Sequence, residues 1–347
     1  MYRLQAIFIL LLLWSGLPIA VFASPAGSPR HIVKRGKPEY YTRNFNTISS
    51  IYKFTIFPNM QPIIAQAQNA NIPEVAELFS PNVSGRIQDV GNFTNFRTSI
   101  EYFYGLAPQP RPGNPAAITA ATIPQFVSGC PEVATSTVYF TISGADPHQS
   151  KFGEVITYLK QTGFWHFDSE GRVDYYDLYI PALGDFTTIL NGADFNDPTV
   201  QTLARKQLCQ GAQAFCTGAN AQYKPNLGIN LKKLLSQLGL NMLTDQKLIS
   251  TLGLTSLNAG ELTCMSRLLE KDFGIFDKLW SDTIVCRIVH LMLAQSDPEE
   301  HCPHVGFDGG MKCVEYPYEK RLFGDDDRLF GTTDQYPHID RFICPDV

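Results

Sequence analysis

Residues 164–177 read Phe164-Trp-His-Phe-Asp-Ser-Glu-Gly-Arg-Val-Asp-Tyr-Tyr-Asp177. Asp168-Ser169-Glu170-Gly171 is a turn closing on glycine, and it joins two runs rich in aromatic and β-branched residues, which predicts a hairpin. The second arm extends over Arg172–Ile180. Upstream, Gly153–Lys160 has the same composition. Ala134–Ser143 alternates Val138, Phe140 and Ile142 with Thr137, Tyr139 and Thr141, the period of two expected of a half-buried strand. Before the strands the pattern is helical: Pro73 to Phe79 is short and amphipathic, and Thr98 to Tyr104 gathers Ile100, Tyr102, Phe103 and Tyr104. Between them and the strands, residues 107–115 carry four prolines and cannot be regular. Helices followed by a strongly curled antiparallel sheet make an α+β domain over residues 46–182.

The chain has 347 residues and a formal net charge of −5. That charge gives no electrostatic reason to expect nucleic acid. Its first 23 residues combine Arg3, an apolar run from Ala6 to Trp14 and a small-residue end at Ala23, the plan of a cleaved export signal. Residues 24–45 are then a leader, in which Lys34-Arg35 reads either as a dibasic processing site after Arg35 or as two solvated charges. No later apolar run is long enough to span a bilayer, so a secreted protein or one in the secretory lumen is expected, with no membrane span once the signal is gone. Asn82-Val83-Ser84 and Asn92-Phe93-Thr94 are glycan acceptor triplets on the exported side.

Of eight cysteines, Cys130 alone lies in the first half; Cys209, Cys216, Cys264, Cys286, Cys302, Cys313 and Cys344 all follow residue 200. An even number in an oxidising compartment predicts four disulfides, with the pairing open. Residues 183–197 read as a linker. Asp197-Pro198 then starts a helix that runs to about Phe215, opening a cysteine-rich helical region over 198–347. Within it, residues 224–257 are Leu-rich and cysteine-free, either an extra helical hairpin or an insertion. Glu261–Leu269 and Phe276–Ala294 are further helices. The second is apolar on nearly every side and belongs at the buried centre. Turns follow Pro298.

Leu78–Ala107 followed by Thr122–Ile180 resembles the NTF2-like superfamily, which includes ketosteroid isomerase and the SnoaL-type polyketide cyclases. The segments carrying the resemblance are Gly91–Phe103 and Phe164–Asp177. It implies helices over a strongly bent sheet, forming a cone with a pocket at its mouth. The later half, in Cys216–Tyr223, Cys286–His290, His301–Gly306 and Gly309–Cys313, is similar to a cysteine-rich segment joined to such domains in secreted proteins of filamentous fungi. Some proteins of this kind act as dimerising cyclases of the maleidride type. The resemblance therefore implies cofactor-independent proton transfer that isomerises or cyclises a polyketide-derived molecule, by a protein that is a candidate homo- or hetero-oligomer. The competing reading is a non-catalytic secreted ligand-binding protein or effector.

For such chemistry a carboxylate or imidazole among aromatics is wanted, its pKa moved by desolvation. Alternation along the hairpin places Phe164, His166, Val173, Tyr175, Asp177 and Tyr179 on one face, and Trp165, Phe167, Arg172, Asp174, Tyr176 and Leu178 on the other. The first face is expected to line the cone, with Asp177 as base, His166 as its orienter and Tyr179 beside them. Asp174 is the acid on the opposite face. His290, His301 and His304 offer three imidazoles of the kind that hold zinc or copper. Export makes Cys286 and Cys302 disulfide partners rather than ligands, and a histidine on a buried helix commonly bonds a backbone carbonyl, so no metal and no cofactor are expected. Asp325-Asp326-Asp327 lacks the alternating ligands of a calcium loop and reads as a solvated loop.

Overall fold

The computed structural model describes residues 37–67, 73–111, 114–226, 228–317 and Cys344. The export signal, the Lys34-Arg35 pair and the 325–327 acidic loop lie outside the described residues.

Helix α1 (Glu39–Phe54) starts inside the expected leader and buries Asn44, Ile48, Ile51 and Tyr52. Helices α2 (Met60–Ala67) and α3 (Pro73–Ala76) follow, then strands β1 (Phe79–Ile87) and β2 (Gly91–Phe93). These two strands stand where a helical pattern was expected. Pro81 and Gly85 disguise β1: the ladder is irregular between Phe79 and Ser84, which accommodates the proline. Gly85 lies so close to β6 that a Cβ there would stand 2.5 Å from the Tyr176 carbonyl oxygen. Helix α4 (Phe96–Gly105) is capped by Asn95, whose side chain accepts from the Thr98 amide.

Strands β3 (Ala116–Ser128), β4 (Val133–Gly144), β5 (Val155–Phe167) and β6 (Val173–Tyr179) complete a six-stranded sheet of order β2-β1-β6-β5-β4-β3. The pairings are antiparallel except that β1 runs parallel to β6, a correction to the all-antiparallel expectation. The α+β architecture itself is the one expected. Irregularities in the β3–β4, β4–β5 and β5–β6 ladders bend the sheet. Against its inner face Trp165 meets Tyr52, Phe103 and Tyr176 edge-on or tilted, with ring centroids 6.0–6.3 Å apart. The Trp165 indole N–H donates to Ser136 Oγ at 2.9 Å.

The expected linker carries helix α5 (Leu183–Asn191), which ends on a left-handed Gly192. Helix α6 (Pro198–Phe215) begins as expected, with Asp197 accepting from the Thr199 amide. Residues 224–257 hold α7 (Leu231–Gln237) and α8 (Gln246–Thr251), and their Leu234, Leu235 and Ile249 join the core. Helix α9 (Ala259–Leu268) is closed by a capping box of Asn258 and Glu261. Helix α10 (Ile284–Ala294) is shorter than expected because the Thr283 side chain caps it, accepting from the Cys286 amide. Pro298 opens helix α11 (Pro298–Val305) where turns were expected.

The disulfides are Cys130–Cys344, Cys209–Cys264, Cys216–Cys302 and Cys286–Cys313. From Pro38 onward the chain is one unit, and buried residues of the cone and of the helical region form a continuous core. Among the described residues, no helix is long and apolar enough to cross a membrane.

Candidate functional site

The bent sheet leaves a space that its own helices do not fill. A cavity of about 420 Å³ opens between α4, the inner faces of β3–β5, and helices α5, α6 and α10. Phe103, Ile118, Phe140 and Leu159 form its cone wall; Phe186 and Ile288 face them from the helical region. Its polar groups are mostly amides: Gln161, whose Oε1 accepts from the Tyr52 hydroxyl at 3.0 Å, Gln207 and Gln295 from the helical region, and Gln109, Asn114 and Asn191 with Arg111 towards the 107–115 segment. Among the described residues lining it there is no Asp, Glu or His.

The expected catalytic residues stand elsewhere. Register pairs His166 with Tyr175 and Phe167 with Val173, so Asp174 is one residue too many for its partner strand. This bulge breaks the alternation. Val173, Tyr176 and Leu178 turn to the core with Trp165 and Phe167, while Asp177 pairs across the ladder with half-exposed Phe164. The face chosen for the cone is thus the outer one. Asp177 accepts from Arg86 at 2.7 and 2.9 Å and from Gln88 at 3.2 Å. His166 lies 2.5 Å from Asp174, not from Asp177, and Tyr179 is exposed. None of the four lines the cavity. Of the two glycan acceptors, Asn82 is exposed and Asn92 half-buried.

Behind α4 the structure assembles a cluster that spacing alone did not resolve. His290 on α10 and His301 and His304 on α11 are all buried. His290 Nδ1 is 3.3 Å from His301 Nδ1, and the Tyr102 hydroxyl is 3.1 Å from His290 Nδ1. On its far side His301 Nε2 meets the buried Glu101 carboxylate at 3.2 Å. Neither ring nitrogen of His304 has a hydrogen-bond partner. His290 and His301 meet side chains where backbone carbonyls were expected, and only His304 has a backbone group, that of Gly310, beside its ring. Burial, then His304 and His301, hold His290 well below the usual imidazole range; burial, then His301, lowers His304 to about 4. Burial raises the Tyr102 phenol, keeping it protonated. A signal for this cluster was present: Asp297-Pro298 repeats the Asp-Pro helix start of Asp197-Pro198, and Glu299 and Glu300 suit a first turn. Reading α11 as a helix would have put His301 and His304 three apart on one face.

The six-stranded bent sheet and the helices packed on it make the first half an α+β unit with a cavity on the inner face of the sheet. Residues 259–316, which hold α9, α10 and α11, match the BfoA family C-terminal domain. The chain is 27% identical over 248 residues to the bifonsecin B biosynthesis cluster protein A of Aspergillus brasiliensis, covering 69% of this chain and 70% of that one. To the aurasperone B biosynthesis cluster protein A of Aspergillus niger it is 26% identical over 248 residues, covering 69% and 68%. Among solved structures, one described as a SnoaL-like polyketide cyclase from Jannaschia matches with a TM-score of 0.30 and 9% identity, over 46% of this chain and 99% of that one. A structure described as an LEH-like epoxide hydrolase of M. tuberculosis matches with a TM-score of 0.29 and 12% identity, over 45% of this chain and 91% of that one.

Proposed function

We propose that this protein is an exported enzyme of fungal secondary metabolism that takes a small, mostly apolar, polyketide-derived molecule into the cone cavity and isomerises or cyclises it. The observation carrying this reading is the cavity: its volume of about 420 Å³ falls in the range of small-molecule sites, roughly 300–1,000 Å³. Its walls are aromatic and aliphatic with amides among them, a lining that suits a flat, hydroxylated aromatic skeleton. The names of its Aspergillus relatives, both proteins of biosynthesis clusters, support the metabolic setting. Four disulfides and the accessible Asn82 support export.

The chemistry rests on Tyr102 in place of the hairpin acids. Tyr102 lines the cavity, and burial keeps its O–H protonated; the hydroxyl lies 3.1 Å from His290 Nδ1 and would turn from it to serve a bound molecule. Such a donor can stabilise a developing enolate oxygen in a dry site. The second reading, a binding protein that does no chemistry, is favoured by the missing carboxylate among the described lining residues.

One experiment separates the two. Purified protein is incubated with aromatic polyketide intermediates, following binding by tryptophan fluorescence and turnover by mass spectrometry. Saturable binding with conversion is expected, and Ile288→Trp, which fills the cavity from α10, should abolish both. Binding without conversion would hand the protein to the second reading. Binding that survives Ile288→Trp would move the site out of the cone.

A further inference from the structure

Three buried imidazoles need a reason to face one another. Neutral imidazole carries one donor and one acceptor, and a buried nitrogen left without a partner for either is destabilising. Here the cluster is built inward. Glu101 takes the Nε2 side of His301, which turns the Nδ1 lone pair towards His290 at 3.3 Å. A carboxylate holding the outer nitrogen of a histidine in this way is the usual support for a histidine that ligates through its inner one. His304 is only 7% exposed, yet neither ring nitrogen makes a close hydrogen bond; the Gly310 backbone lies beside the ring and the Glu300 carboxylate is 3.8 Å from Nε2. Besides the other two imidazoles, only the Gly310 backbone and Glu300 stand near its nitrogens, so His304 has no strong partner to give up on ligating an ion.

We propose that His290, His301 and His304 bind one divalent first-row transition metal ion, zinc or copper(II), through one nitrogen each. The geometry is close to what such an ion requires. Metal–nitrogen bonds of about 2.0–2.1 Å in a tetrahedron put the nitrogens about 3.3 Å apart. His290 and His301 already meet at that separation, and all three sets of ligand atoms lie within 4.8 Å of one another. Imidazoles without thiolate suit zinc and copper(II) rather than magnesium or calcium. Cys286 and Cys313, which flank His290, are excluded as ligands because they are bonded to each other. A second cavity, of about 250 Å³, is lined by His290 and Tyr102, with Lys312 on its wall, and reaches the His290 edge of the cluster. Tyr102 also lines the cone cavity, so the ion would sit one side chain away from the molecule bound there.

The test uses the full chain made through a secretory host, stripped with chelator and titrated separately with zinc chloride and copper(II) sulfate. Calorimetry should give one equivalent of zinc or copper per chain, with a rise in melting temperature. Copper-loaded protein should show nitrogen hyperfine structure from three imidazoles in its electron paramagnetic resonance spectrum. His304→Ala should weaken binding at least ~100-fold, while Glu101→Gln, at the side chain that meets the far nitrogen of His301 and also accepts from Arg97 at 3.0 Å, should weaken it by about 10–100-fold. His148→Ala, on an exposed turn, should change nothing. Failure of the unaltered protein to bind either ion saturably would overturn the proposal, as would copper spectra without imidazole nitrogen. So would unchanged affinity in folded His304→Ala. If His304→Ala does not fold, the titration and spectrum of the unaltered protein decide alone.

Discussion

Arg86 donates two hydrogen bonds to Oδ2 of Asp177, at 2.9 and 2.7 Å, across the parallel pairing of β1 and β6 on the outer face of the sheet. Both side chains are mostly buried, with 17% and 11% of their surface exposed. The acid is therefore a structural tie between strands. Asp177→Asn should leave ligand binding and any turnover within about twofold of the unaltered protein. It should lower stability by about 1.5–3 kcal/mol, the usual worth of a hydrogen bond to a charged group. Urea denaturation beside a binding assay checks both halves. A collapse of turnover in a stable Asp177→Asn protein would return that residue to the active site.

The two faces of the hairpin can be told apart by neighbours in sequence. Trp165 is fully buried and packs against Tyr52, Phe103 and Tyr176, whereas Phe164 is half exposed. Trp165→Ala should cost about 3–5 kcal/mol, and Phe164→Ser less than about 1 kcal/mol. Comparable losses at the two positions would contradict the face assignment.

That assignment marks where legibility ended. Strands β4, β5 and β6 and helices α6 and α9 follow from period, turn and capping signals, because those signals are local. Alternation correctly grouped His166, Tyr175 and Asp177, but a grouping does not say which side is the core. The inward set of Trp165, Phe167, Tyr176 and Leu178 is no richer in aromatic and aliphatic residues than the alternate set of Phe164, Val173, Tyr175 and Tyr179, so composition does not separate the two faces. The bulge at Asp174 was invisible, since it depends on register with a partner strand. Strand β1 was hidden because its ladder tolerates Pro81 and requires Gly85, both strand breakers in isolation. The histidine cluster needed a tertiary fact, the packing of α11 against α10 behind α4.

Acid should find a weak point at Asp282. Burial alone would raise this carboxyl, but hydrogen bonds and charge from Lys271 and Arg287 outweigh it and hold it below the usual carboxylate range. The bonds measure 2.6 Å to Lys271 and 2.7 Å to Arg287, whose side chain is completely buried. A carboxyl with a depressed folded value stabilises the protein fully above its unfolded pKa, about 3.9, and loses that contribution as pH falls through the folded value. Asp282→Asn should therefore be destabilising at pH 7, and its deficit should shrink below about pH 4. Unfolding free energies measured by urea from pH 7 to pH 3 give the comparison. A deficit independent of pH would mean that the ion pair contributes nothing by its charge.

The disulfides of the helical region should be unequal. Cys216–Cys302, Cys209–Cys264 and Cys286–Cys313 close segments with sequence separations of 86, 55 and 27. In the chain-entropy account a cross-link acts mainly on the unfolded chain, and its effect grows with the logarithm of the loop. The longest bridge should then contribute about 1 kcal/mol more than the shortest. Cys216–Cys302 also ties the end of α6 to the middle of α11, so its loss should loosen His301 and His304 on either side of Cys302. Replacing each pair by serines and unfolding in urea should rank the losses in the order of those separations. Cys216→Ser with Cys302→Ser should be the variant that also weakens metal uptake most. Equal losses from all three pairs would point instead to native-state packing around the sulfurs as the dominant contribution.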